Sequence, residues 1–253
     1  MRRCGLLSVC IISGLALMAC GHRIPPELDR PPETYTVTTG GPQRSMIHLA
    51  RVETGIVVVD LGWWGAEGAL EEGLETMGAS REDVMAVFLT HAHRDHVKGW
   101  PALRNAPFHM VEAEVELFHG EVHPAGWIPR WAERIVRTDL PERGEVEVRA
   151  FSGDTVFTFG ADTVRAFHVP GHTPGSAAYL LNGTLFAGDA ISSPPTGDMQ
   201  PAMAGFSDDT SEARQSLHLL RARLEPHPHQ LVCTAHAHCS EAGPDFWARV
   251  LGR

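Results

Sequence analysis

The segment at residues 90–96 (THAHRDH) decides the fold, because it holds four potential metal ligands within six residues. It follows an apolar stretch, MAVFL, which predicts a buried strand that ends at the first histidine. Residues two apart in an extended segment point the same way, so His91 and His93 can bind one ion. Asp95 and His96, where the chain enters a helix, can face a neighbouring point. Zinc accepts imidazole nitrogen and carboxylate oxygen at about 2.0–2.2 Å, so this segment predicts a zinc site.

Three further potential ligands come later in the chain, and each follows an apolar stretch. His172 lies in a Pro-Gly-His-Thr-Pro-Gly turn, Asp189 follows Leu-Phe-Ala-Gly, and His236 follows a predicted strand over 230–235. The glycines beside the first two residues allow backbones to approach closely. His238 is a rival of His236 on the same side of an extended chain, and His236 is preferred because it comes first after the strand.

The composition is that of an acidic globular protein. The chain has 253 residues, 43% of them hydrophobic and 21% charged, which excludes disorder, collagen and coiled coil. Asp and Glu number 31 against 21 for Lys and Arg, and the net charge of −10 disfavours a nucleic-acid partner. Fifteen histidines stand against only two tyrosines, and imidazole is the commonest metal ligand in proteins.

The first residues predict a targeting signal. Two arginines precede an apolar run over 6–20, which would make about 22 Å of helix, less than the ~30 Å hydrocarbon core of a bilayer. We therefore expect a signal peptide over 1–19 and not a membrane span. Its end, Leu-Met-Ala-Cys, resembles the bacterial lipobox, in which cleavage leaves the cysteine, here Cys20, as a lipid-modified first residue. The alternative is a plain secretory signal cut near Ala19.

These features predict a protein of the cell envelope with one domain. Gly21 stands where inner-membrane lipoproteins carry an aspartate, so a lipid anchor in the outer membrane, facing the periplasm, is expected. Residues 20–34 hold four prolines and predict a lipidated tether before a single domain over 35–253. Processing would leave three cysteines, which form no disulfide framework, and a pairing of Cys233 with Cys239 stays open.

Strands and helices alternate along the domain, and hairpin signals are also present, which predicts an α+β fold with a mixed sheet and helices outside. The candidate site residues each follow a predicted strand, as does Asp60 after the β-branched run 56–59. A rigid sheet that ends in short loops can hold several ligands at one edge. The expected elements are strands within 46–62, 85–90 and 230–235, and helices over 66–77, 112–118 and 209–224.

The whole set of motifs resembles the metallo-β-lactamase superfamily. The superfamily pattern has His-x-His-x-Asp-His, a later His in a Pro-Gly-His turn, a Gly-Asp and a final His after a strand, and all seven positions match in order over about residues 45–240. The resemblance implies a four-layer αβ/βα sandwich with metals at one edge of the two sheets. It also implies that Asp60 supports the metal-binding loop without binding the metal.

The resemblance implies a set of ligands for each of two zinc ions. Iron and manganese stay open as alternatives to zinc. Asp189 would bridge the two ions. The first ion would be bound by His91, His93 and His172, and the second by Asp95, His96 and His236.

This metal centre predicts a hydrolase of small molecules. Zinc lowers the pKa of bound water from 15.7 to about 7, so a hydroxide held between the two ions could attack a carbonyl, with Asp95 positioning it and passing the proton. The aspartate at position 189 favours an ester, thioester or lactone substrate, since true β-lactamases of the superfamily usually carry Cys or Ser there.

Other functions remain open at this point. A periplasmic β-lactamase is the alternative that the expected location favours. Glyoxalase II is disfavoured because its glutathione-binding helical extension should follow the last histidine, and only 17 residues follow His236. Acyl-homoserine lactonases often have a tyrosine shortly after the bridging aspartate, whereas Asp189 is followed by Ala190-Ile191-Ser192. A non-catalytic metal-binding lipoprotein would call for a broken ligand set, which is not seen.

The residues that bind the substrate are not identified by the sequence. Two apolar walls are candidates because aromatic and methionine side chains often line small-molecule clefts. One is the pair Trp63 and Trp64 in a Gly-rich loop. The other is the segment 192–207, with Met199, Met203 and Phe206.

Overall fold

The computed structural model of the chain describes residues 33–41, 44–136, 138–193, 199–237 and 239–252. The predicted signal peptide, Cys20, His238 and residues 194–198 lie outside the described residues. The end of the predicted tether lies inside the domain, because the carbonyl of Glu33 accepts a hydrogen bond from the backbone N–H of Arg51 at 2.8 Å. Within the described part, no helix is both long and apolar enough to cross a membrane.

The first sheet has six strands in the order β1-β2-β3-β4-β5-β6. Its first three strands pair antiparallel and its last three continue in parallel. The strands are β1 (Thr34–Thr39), β2 (Ser45–Val52), β3 (Gly55–Val59), β4 (Val84–Phe88), β5 (Phe108–Val111) and β6 (Val148–Phe151).

The second sheet also has six strands, in the order β14-β13-β10-β9-β8-β7, and all its pairs are antiparallel except β10 with β13. A two-stranded ribbon of β11 and β12 stands beside it. These strands are β7 (Thr155–Phe159), β8 (Asp162–His168), β9 (Ala177–Leu181), β10 (Thr184–Gly188), β11 (Ile191–Ser192), β12 (Gln200–Pro201), β13 (Leu231–Thr234) and β14 (Ser240–Glu241).

The helices lie mainly on the outer faces of the sheets. The longest, α5, begins where the carboxylate of Asp209 accepts hydrogen bonds from the N–H groups of Ser211 and Glu212. Short 3₁₀ turns cover Arg81–Asp83, Trp100–Leu103 and Glu112–Glu114. The helices are α1 (Ala66–Thr76), α2 (Arg94–Val97), α3 (Val115–Phe118), α4 (Trp127–Ile135), α5 (Thr210–Leu224) and α6 (Phe246–Leu251).

Three apolar clusters show that the domain has four layers. In β3 the side chains alternate, so Val57 and Val59 join a cluster between the sheets, while Ile56 and Val58 join a cluster under α1. A third cluster joins the outer face of the second sheet to α5 and α6. The order helix, sheet, sheet, helix confirms the predicted αβ/βα sandwich.

The sequence predicted most elements but missed the helices α4 and α6. The predicted hairpin, the helix after it and the amphipathic helix over 209–224 are all present. The expected helix at 112–118 is a 3₁₀ turn followed by the single turn α3. No helix was expected over α4, which contains Pro129 in its first turn, where proline is tolerated because that N–H needs no helical partner.

A buried hydroxyl joins the two sheets beneath the segment 90–96. Tyr179, in β9, is buried, and its hydroxyl donates a hydrogen bond of 2.6 Å to the carbonyl of Leu89, directly after β4. The N–H of Ala177 bonds to the carbonyl of Thr90 at 2.7 Å beside it. These bonds hold the start of the histidine segment against the second sheet.

We predict that Tyr179→Phe destabilises the domain, because the carbonyl of Leu89 loses its buried donor. Such a loss costs about 1–3 kcal/mol. Urea unfolding measures it. Tyr35→Phe is the matched control, since the Tyr35 hydroxyl has no hydrogen-bond partner among the described residues, and equal unfolding midpoints for the two variants would contradict the role of Tyr179.

Candidate metal centre

Three buried imidazoles converge at the edge of the sandwich. The Nε2 atoms of His91 and His172 are 3.1 Å apart, and the Nδ1 atom of His93 lies 3.1 Å from the first and 3.2 Å from the second. Zinc bound tetrahedrally at 2.0–2.1 Å separates its ligand atoms by about 3.3 Å. The spacing of these nitrogens therefore fits one zinc-sized ion.

Hydrogen bonds on the far side of the rings determine which nitrogen points inward as a lone pair. The Thr90 hydroxyl donates to Asp60, so it can only accept from Nδ1–H of His91 at 3.2 Å. The Ser207 hydroxyl donates to the carbonyl of Met203 and accepts from Nδ1–H of His172 in the same way. Both Nε2 atoms are thus left as lone pairs that face each other, an arrangement that a cation would stabilise.

Protonation of these rings to imidazolium is unfavourable near neutral pH. Burial, together with neighbouring imidazoles, lowers the pKa of His91 and of His93 well below the usual range. Burial likewise lowers the pKa of His172 to about 4, although the carboxylate of Asp189 opposes it. The three rings are neutral, which is the form that binds a metal.

A second group lies next to the first. The ligand atoms of Asp95, His96 and His236 are all within 4.8 Å of one another. Asp189 lies between the groups, since its Oδ2 atom is 3.1 Å from Nε2 of His236 and 3.6 Å from Nε2 of His172. The structure therefore brings together all seven residues that the sequence singled out, with Asp189 where a bridging ligand would be.

The second group carries the charge that a cation would balance. Burial lowers the pKa of His236, but the carboxylates of Asp189 and Asp95 raise it to about 10. Burial lowers the pKa of His96, but the carboxylates of Asp95 and Asp60 together raise it above its usual value. The pKa of Asp189 is lowered by the imidazoles of His236 and His96, against the effect of its burial. Without a metal, protons on the imidazoles take the place of the cation.

Three buried atoms of the seven ligand candidates have no hydrogen-bond partner among the described residues. They are Nε2 of His93, Nε2 of His96 and Oδ1 of Asp189. A buried polar atom without a partner costs free energy, and a metal ion bound by Asp95, His96 and His236 would satisfy Nε2 of His96. The donor set of imidazole and carboxylate suits zinc and also iron or manganese.

Asp60 lies behind the ligand candidates, in the position that the family resemblance implied for it. Its carboxylate accepts hydrogen bonds from the N–H of Thr90 at 2.8 Å and from the Thr90 hydroxyl at 2.7 Å. It also accepts from Nδ1 of His96 at 3.0 Å, which leaves Nε2 of that ring as the ligand atom. Asp60 has a φ of +58°, a left-handed conformation that Asp tolerates better than most residues.

Sequence reasoning missed a second supporting carboxylate, Glu114. It is fully buried, and it accepts hydrogen bonds from the backbone N–H of Ala92 at 2.7 Å and of Gly175 at 2.9 Å. Burial raises its pKa, although these bonds and one from Thr173 lower it. Glu114 thus ties the first histidine segment to the turn of His172. Nothing in its local sequence distinguishes it from the surface glutamates around it.

Close approach of backbones explains two of the glycines beside the ligands. Gly171 has a φ of +125°, and a Cβ there would lie 2.1 Å from the backbone nitrogen of Ala213. Gly188 has a φ of +53°, and a Cβ there would lie 2.5 Å from the Cβ of Thr90. Any side chain at either position would push a ligand out of place, as the glycine-rich turns predicted.

The loop that carries His236 is closed by a disulfide between Cys233 and Cys239, the pairing that the sequence left open. The two cysteines adjoin the antiparallel pair of Val232 and Ser240 in β13 and β14. The register of these strands brings the cysteines face to face. The bond restricts the short loop between them.

The remaining candidates divide between the site and the rest of the domain. Trp63 and Phe206 line a pocket beside the ligands, whereas Trp64 is exposed and Met199 packs against the core under α5. Met203 does not line that pocket. The other described histidines lie outside both ligand groups and include His168, at the end of β8, whose Nε2 bonds to the carbonyl of Pro174.

A comparison with protein families agrees with this geometry. The model of the family described as the Metallo-beta-lactamase superfamily matches residues 40–236, which contain every ligand candidate. The chain belongs to the metallo-β-lactamase superfamily. The family resemblance inferred from the motifs is confirmed.

Curated relatives in the superfamily match part of the chain. A hydroxyacylglutathione hydrolase of Aeromonas hydrophila subsp. hydrophila is 30% identical over 145 residues, which are 57% of this chain and 46% of that protein. A probable polyketide biosynthesis zinc-dependent hydrolase (BaeB) of Bacillus velezensis is 25% identical over 146 residues, 57% of this chain and 54% of that protein. The chain thus spans about half the length of these relatives.

Solved structures share the superfamily fold. An archaeal metallo-beta-lactamase superfamily protein from Sulfolobus tokodaii has a TM-score of 0.61 at 18% identity, with 86% of this chain and 84% of that one covered. The BLEG-1 B3 metallo-beta-lactamase has a TM-score of 0.61 at 22% identity, with 87% and 100% covered. At these identities the likeness shows the fold and not the substrate.

We predict that Glu114→Gln weakens zinc binding, because the glutamine NH₂ group would face one of the two backbone donors that the carboxylate now satisfies. The expected loss is about tenfold to a hundredfold in affinity, as for other groups that orient metal ligands. Competition with a chromophoric chelator measures it. Glu116→Gln, on an exposed residue of the neighbouring helical turn, is the control, and an unchanged affinity in the Glu114 variant would refute its role.

Proposed function

We propose that this protein is a dinuclear zinc-dependent hydrolase that cleaves an ester, thioester or lactone bond of a small molecule. One observation carries the proposal. Two groups of imidazole and carboxylate ligands, joined by Asp189, lie beside a pocket of about 430 Å³, which His93, Asp95, Asp189 and His236 line. Pockets of about 300–1,000 Å³ are typical of small-molecule sites.

The relatives support a hydrolytic reaction. One is named for the hydrolysis of hydroxyacylglutathione, in which the acyl group is held as a thioester, and another is named a zinc-dependent hydrolase. Asp at position 189, with its carboxylate between the two ligand groups, is the residue expected for esters, thioesters and lactones. Zinc is the metal we propose because the three imidazole nitrogens fit its ligand spacing.

Bound zinc would supply an activated water at neutral pH and would polarise the carbonyl of the substrate. The side chain of Asp95 lines the pocket, and its Oδ2 atom lies 3.5 Å from Nε2 of His236. From this position Asp95 can orient the attacking water and hold its proton. No serine or cysteine is among the described residues that line the pocket, so the proposal uses no covalent acyl intermediate.

We predict that Asp95→Ala lowers kcat/KM for a cleaved ester or thioester by about a hundredfold or more, the contribution typical of a positioned acid or base. His91→Ala is expected to remove most activity together with bound zinc, while the domain stays folded. Metal content by mass spectrometry, circular dichroism and initial rates measure these effects. The matched control is His218→Ala, on an exposed histidine of α5, and full turnover in a zinc-loaded Asp95 variant would disprove the role of Asp95.

A substrate panel tests the reaction class. Esters, thioesters and lactones are expected to be hydrolysed faster than the β-lactam nitrocefin. Preferred hydrolysis of nitrocefin would replace the proposal with a β-lactamase. Two zinc ions per chain without turnover of any compound would identify a metal-binding protein that is not an enzyme.

We also propose that the protein is lipid-anchored at Cys20 in the outer membrane and faces the periplasm. The proposal rests on the sequence of residues 1–20, with its lipobox-like end. Growth with an alkyne-labelled fatty acid is expected to label the wild type but not Cys20→Ser. Cys10→Ser, a change within the apolar run, is the control. A Cys20 variant that still fractionates with membranes and still takes up label would contradict the anchor.

A further inference from the structure

One wall of the pocket beside the ligand candidates is formed by residues that are not ligand candidates. This wall consists mainly of residues of α4, and Trp63 and Phe206 also line it. The metal-ligand candidates His93, Asp95, Asp189 and His236 form the floor. An acyl group that fills the pocket would therefore have one end at the ligands. The lining residues from α4 are Ile128, Pro129, Trp131, Ala132, Glu133 and Ile135, and Val136 follows directly after the helix.

The wall offers mainly apolar contact. Apart from the ligand candidates, its only charged residues among those described are Arg94 and Glu133, which pair with each other at 2.7 Å and leave Nη1 of Arg94 buried without a hydrogen-bond partner. Glu133 also interacts with Nδ1 of His123 at 2.8 Å. Because these charges are already balanced, the pocket suits an apolar group better than an ionised one.

The helix α4 has unused apolar surface. None of its residues is buried, and Trp131 and Ile135, which line the pocket, are 59% and 60% exposed. Its backbone is tied at its start by the bonds from Ile128 N–H to the carbonyl of Gly205 at 3.0 Å and from Gly126 N–H to Asp208 at 2.8 Å. An apolar ligand against this helix would remove its side chains from water, which is favourable.

We infer that the substrate carries an extended apolar acyl group, and that this group lies beneath α4. The inference rests on the proposed function for the bond that is cleaved, and it adds the chemical class of the group next to that bond. The acyl chain would contact Ile128 and Ala132 of the helix, Val136 after its end, and Phe206.

A series of thioesters with one leaving group, N-acetylcysteamine, and acyl chains from acetyl to octanoyl tests the inference. Each buried methylene is expected to raise kcat/KM by about threefold to fourfold until the pocket is filled. Ala132→Phe narrows the pocket and is expected to lower the ratio of octanoyl to acetyl kcat/KM at least tenfold. Arg134→Phe places the same ring on the exposed side of α4, outside the pocket lining, and is expected to keep the wild-type ratio.

Direct binding separates failure of this inference from failure of the proposed function. Isothermal titration of the purified zinc-loaded protein with dodecanoate is expected to show binding that Ala132→Phe weakens at least tenfold and Arg134→Phe does not. If no ester, thioester or lactone is hydrolysed but this pattern holds, the hydrolase proposal fails and the apolar site stands. A flat acyl series in an active enzyme, or no dodecanoate binding, would overturn the inference.

Discussion

Two imidazole lone pairs that face each other across 3.1 Å are the constraint on which the site depends. Hydrogen bonds from the Nδ1–H groups of His91 and His172 to the hydroxyls of Thr90 and Ser207 hold the rings in the tautomers that create this contact. Burial prevents protonation from relieving it, because it lowers the pKa of both rings. Such an arrangement stores electrostatic repulsion that a cation converts into attraction. The surrounding fold must therefore hold the rings firmly.

The fold supplies this rigidity through buried carboxylates that lie behind the ligands. Asp60 binds the backbone and hydroxyl of Thr90 and orients His96, and Glu114 joins Ala92 to the turn of Gly175. Both residues connect segments that are far apart in the chain. They make the position of each ligand depend on several strands at once, which is how a site keeps its geometry within a fraction of an ångström.

The metal site and the substrate pocket come from different parts of the architecture. The ligands come from loops at the ends of β4, β8, β10 and β13, the framework that the superfamily model covers. The pocket wall comes from α4, a helix outside the sheets whose apolar surface is still exposed. Because one fold serves many reactions, the substrate has to be argued from this wall and not from the sandwich.

The sequence by itself predicted the seven ligand candidates and, through the resemblance that their motifs carry, the family and its four-layer order. The ligand candidates could be predicted because they depend on local patterns: glycine turns, and donor residues directly after apolar strands such as the one before His91. The tertiary structure alone decided the role of Glu114, the pairing of Cys233 with Cys239 and the position of α4 over the ligands. Each of these depends on contacts between residues that are distant in the chain or lie in separate elements. The local sequence around a glutamate, a cysteine or an amphipathic helix does not reveal such contacts.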